Sequence, residues 1–97
     1  MPDSLYFYVK GDSMSPTYKD GDQVCLKRII PNQKVEVNDI VVFMHPLKRD
    51  CKVIKRVAHI KNNTKLFVEG DNLDIASTED SHNFGYIDSC ELIAIKK

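Results

Sequence analysis

Between Ile40 and Met44 the chain places an unbroken apolar run, and His45-Pro46 stops it. A short run of this kind fits a central strand buried on both faces. The proline ends it because it has no N–H to give to a strand ladder. From Lys52 to Ile60 the pattern changes to alternation. Val53, Lys55, Val57 and His59 fall on one face, with Ile54, Arg56, Ala58 and Ile60 on the other. No segment carries a sustained helical period, and there are no repeats or low-complexity tracts. The chain therefore reads as mainly β with little helix, a small, curled and partly open barrel-like sheet.

The remaining segments fit that reading. Tyr6–Val9 is a short aromatic and β-branched run that stops at Gly11, and Gln23–Ile30 predicts a second strand. Gly11–Asp22 is dense in turn formers, and Pro16 with Ser15 as its cap predicts one turn of helix there. Pro31–Asn38 predicts a hairpin or loop, Asn62-Asn63 a turn, and Leu66–Glu69 a strand. Gly70–Gly85 is a 16-residue polar stretch, long enough in a compact domain to imply a functional or disordered loop. Tyr86-Ile87 and Leu92–Ile95 supply the last short strands.

At 97 residues the chain has room for one domain, 1–97, and any function is expected on its surface or in a shallow groove. Fourteen Lys+Arg balance fourteen Asp+Glu, so charge gives no general reason to expect a nucleic-acid partner. Lys48, Arg49, Lys52, Lys55 and Arg56 do cluster, and apart from Lys55 they read as a solvated strand face. No run of about 18 apolar residues is present to span a bilayer. The N-terminus lacks a secretory pattern, so a cytoplasmic location is expected. Cys25, Cys51 and Cys90 share no short spacing. They predict neither a zinc site nor a disulfide framework, and read as buried or half-buried thiols in a reducing compartment.

Two places carry chemistry. The first is Gly11-Asp12-Ser13-Met14-Ser15-Pro16-Thr17, closing on Gly21-Asp22. A serine in a glycine-bearing turn presents its hydroxyl while nearby backbone N–H groups converge, as an oxyanion hole requires. Such a hydroxyl needs a base. His45, His59 and His82 each read more simply as structural or solvated. A lysine serves if desolvation lowers its pKa from about 10.4 toward neutrality. Lys55, between Val53 and Val57 on the alternating strand, is the candidate.

These residues resemble type I signal peptidases. GDSMSPTYKDGD matches that family's nucleophile box, and VIKRV matches the box in which the basic lysine precedes an arginine. Gly70-Asp71-Asn72, with Asp80-Ser81-His82-Asn83-Phe84-Gly85, matches its closing box. The resemblance implies Ser13 as nucleophile and Lys55 as general base. It places Met14 beside a substrate groove and the oxyanion hole on backbone donors around Asp12–Met14. Asp71, Asp80 and Ser81 would support the lysine and the site walls, with Thr78 orienting the Lys55 amine. Two departures stand out. Gly11 occupies a position where bacterial signal peptidases often offer a hydroxyl, and His82 replaces the usual arginine partner of Asp80.

The compact form, His45-Pro46 after the central strand, and GDN…AST…DS…FG look most like the maturation proteases of nickel-type superoxide dismutase. That implies removal of an N-terminal extension from a precursor protein. The partner is then a protein or peptide substrate, with no metal or organic cofactor and no nucleic acid. One rival is the self-cleaving peptidase domain of LexA-type repressors and their mutagenesis-protein relatives, which share a GDSM-like turn and a strand lysine. Another, of a different class, is a non-enzymatic β module that binds a partner through Gly70–Gly85. The sequence leaves the cleavage sequence and oligomeric state open.

Overall fold

A computed structural model describes residues 4–11, 13–72 and 84–97. Among these residues seven strands form one antiparallel sheet: β1 Ser4–Tyr8, β2 Gln23–Arg28, β3 Ile40–Met44, β4 Lys52–Lys61, β5 Lys65–Glu69, β6 Ile87–Asp88 and β7 Leu92–Lys96. Their order across the sheet is β1-β2-β7-β3-β4-β5-β6. The sheet is open rather than closed into a barrel. It is nonetheless curled, for Lys52 Nζ of β4 sits 5.8 Å from the ring centre of Phe7 on β1, although three strands separate β1 from β4 in the order.

The apolar run forms the centre, as expected. β3 is flanked by β7 and β4, and Ile40, Val41, Val42 and Phe43 are all buried. Because side chains alternate across a strand, this one element feeds two cores. Val41 and Phe43 pack with Val57, Leu66, Val68, Ile87, Leu92 and Ile95. Ile40 and Val42 pack on the other side with Val9, Met14, Val24, Leu26 and Ala94. A strand with apolar residues at every position is stable only where both faces are covered, and the curl provides the second cover.

Two features depart from the sequence reading. The alternation of β4 breaks at a bulge: the register with β5 shifts between Val57 and His59, so His59 is exposed instead of sharing the buried face of Lys55 and Val57. The Ser13–Thr17 segment is a set of turns rather than a helix. A backbone bond from Tyr18 N–H to the Met14 carbonyl at 2.9 Å closes it, and the Ser15–Pro16 peptide is cis.

Candidate functional site

The turn that carries Ser13 is held at both ends. Val9 donates to the Asp22 carbonyl at 2.8 Å, and Gly21 donates back to the Val9 carbonyl at 2.8 Å. The two arms are thereby drawn together beyond the β1–β2 ladder. Gly11 and Gly21 adopt φ of +80° and +89°, a region that side-chain-bearing residues rarely enter. The Gly11 N–H donates to Asp20 Oδ1 at 2.8 Å, which commits that donor within the loop. Within the turn, Ser13 is half-buried. The next residue, Met14, is fully buried in the second core. Its side chain packs with Val9, Val24, Leu26, Ile40, Val42 and Ala94, which anchors the turn to the core.

Lys55 lies in the middle of β4, opposite Val41 in the register. It is 3% exposed, one of three buried polar or charged residues among those described. A lysine so enclosed is unusual, because burial penalises an ammonium unless partners compensate.

The three motif segments converge through Asp71. Arg56, beside Lys55, donates from Nε to Asp71 Oδ1 at 2.9 Å and from Nη2 to Oδ2 at 2.8 Å. Its Nη1 donates to the Asn38 carbonyl at 2.9 Å. Thr17 Oγ1 donates to Asp71 Oδ2 at 2.6 Å, and the Asn72 N–H donates to the Ser13 carbonyl at 2.9 Å. The serine turn, the lysine strand and the Gly70-Asp71-Asn72 segment are thus pinned to one another. Burial pushes the Asp71 carboxyl up. The hydrogen bonds from Arg56 and Thr17, with the guanidinium charge, outweigh it and hold the carboxyl below the ordinary carboxylate range. The same bond to Asp71 raises Arg56.

Arg56 is therefore no part of a solvated face. Its planar fork matches a carboxylate in two-point fashion. The clue lay in its motif position beside Lys55, whereas its partner is fifteen residues away. Thr17 also lies inside the nucleophile box, and residue type alone does not announce its bond to Asp71. Asp12, Thr78, Asp80, Ser81 and His82 lie outside the described residues.

The other candidates fall elsewhere. His45 is buried. Its Nδ1 accepts from the Leu47 N–H at 3.0 Å, and its ring meets Phe84 edge-on at 5.2 Å, an architectural role at the end of β3. His59 is exposed and pairs with Phe67. All three thiols are unpaired. Cys25 and Cys90 are exposed rather than buried, the first because it falls on the outward side of β2 between buried Val24 and Leu26, the second because it sits in a 3-10 turn. Among the described residues no cluster of His, Cys, Asp and Glu could hold a metal ion, and no helix is long and apolar enough to cross a membrane.

No curated protein matches the chain. A family model described as Peptidase S24-like matches residues 2–94.

Proposed function

Because the chain belongs to the Peptidase S24-like family, serine peptidases of the LexA and signal-peptidase type, we propose that it is an endopeptidase in which Ser13 is the nucleophile and Lys55 the general base. One observation carries this reading. A lysine 3% exposed adjoins an arginine whose carboxylate partner also binds the turn that bears the serine. Burial favours the neutral amine that a lysine base requires.

The chemistry then runs in two halves. Lys55 takes the proton of Ser13 as Oγ attacks the scissile carbonyl, and backbone N–H groups of the turn hold the oxyanion. The C–N bond breaks as the Lys55 ammonium returns its proton to the leaving amine. A water, deprotonated by Lys55, then attacks the acyl ester and releases Ser13. The substrate is a protein, bound extended against strand edges. We assign the cut to an N-terminal extension of a precursor, with that of nickel-type superoxide dismutase as the first candidate. The family match bears equally on self-cleavage of the LexA type, so both substrates belong in one experiment.

The dismutase precursor is incubated with the wild-type chain, Ser13→Ala and Lys55→Ala, and products are located by N-terminal sequencing. A single cut by the wild type that disappears in both variants supports the dyad and the substrate. Cuts within the chain itself, abolished by the same substitutions, keep the dyad and move the substrate to the chain. Cleavage that survives both substitutions overturns the assignment of Ser13 and Lys55.

A further inference from the structure

Phe7 and Lys52 face each other across the open side of the curled sheet, from strands that share no ladder. β1 is an edge strand. β5 pairs with β4 only from Arg56 onward, so among the described residues no strand lies beside Lys52–Ile54 on that edge. From this gap β1 leads into the serine turn, and β4 leads to Lys55 three residues beyond Lys52. An extended peptide approaching the dyad along β4 passes Lys52. At about 3.3 Å per residue, Lys52 lies roughly 10 Å from Lys55, three substrate residues away.

The chemistry at that point is cationic. Lys52 is exposed, and its ammonium rests near the Phe7 ring. That contact engages the ring face and leaves the N–H donors available to a carboxylate. Among the described residues no carboxylate pairs with Lys52 or with Arg49 in the preceding turn. Asp50 lies between Arg49 and Lys52 in sequence and offsets one of their charges. The Phe7 ring beside the ammonium supplies an apolar surface for the stem of a Glu or Asp side chain.

We propose that Lys52 is a specificity-determining residue that favours peptides with an acidic side chain about three residues from the scissile bond. The inference rests on the peptidase reading, and its test separates the two. Decapeptides carrying Glu, Gln or Lys at each position around the cut are offered to the wild type, Lys52→Gln and Lys52→Glu, with Ser13→Ala as control. The same peptides, fluorescently labelled, are titrated against Ser13→Ala and Ser13→Ala/Lys52→Glu to read binding without turnover.

The expected result is a preference for Glu at one position about three residues from the cut. An exposed ion pair contributes up to about 1 kcal/mol, so Lys52→Gln should weaken the preference about two- to fivefold. Lys52→Glu should reverse it in favour of Lys, in both kcat/KM and binding, and 1 M salt should flatten it. A Glu preference that persists in Lys52→Glu, or no charge preference at any position, overturns the proposal even if cleavage depends on Ser13. Cleavage that survives Ser13→Ala overturns the peptidase reading, while the binding titrations still decide the role of Lys52.

Discussion

Asp71 shows how one carboxylate can tie distant segments of a chain together. It is 15% exposed and meets an Arg56 side chain that is 33% exposed, with Thr17 as a third partner. Asp71→Asn keeps the shape but removes the charge, leaving a half-enclosed guanidinium facing a neutral amide. The expected loss is about 1–3 kcal/mol of stability, read by urea denaturation at pH 7. It should come with a fall in kcat/KM, because the charge-assisted link from Arg56 through residue 71 to the serine turn is weakened. The pH dependence follows from the depressed carboxyl. A group held below its unfolded value stabilises fully above that value and loses the effect as pH falls through the folded one. The gap between wild type and Asp71→Asn should therefore stay constant above about pH 5. It should narrow below the ordinary carboxylate value of about 3.9 and close at lower pH. A gap that persists undiminished at pH 2 would assign the loss to shape rather than charge.

Among the elements, β3 has the most to lose. Phe43 is fully buried and meets Phe84 edge-on at 6.0 Å, whereas its neighbour Met44 is 39% exposed. Phe43→Ala should cost about 3–5 kcal/mol and Met44→Ala under about 1, compared by thermal melting. This element was legible because five apolar residues in a row leave few alternatives, and β4 was legible through its period of two. The bulge after Val57 was not, because an inserted residue changes pairing without changing composition. The two-residue β6 was only partly legible, since a strand that short is defined by its partner. The role of Arg56 is hidden in the sequence for a related reason: residue type announces a charge, but the carboxylate that meets it is set by the fold.

At the scale of the whole molecule, the strand order inserts the last strand, β7, between β2 and β3. No local pattern announces that arrangement, because it depends on pairings between distant segments. The class of fold was readable, and so were the motif segments; how those segments meet required the sheet. Met14 adds a consequence for the working life of the protein. A residue wholly enclosed in the second core is the immediate chain neighbour of Ser13, so the hydroxyl of the proposed nucleophile is held in place while that core stays packed. Inactivation and melting should then be one event: residual activity against urea and the circular dichroism signal should trace the same curve with the same midpoint. Activity lost well before the spectroscopic transition would mean that the turn loosens on its own. If the curves coincide, a simple activity assay doubles as a gauge of how much of the population is folded.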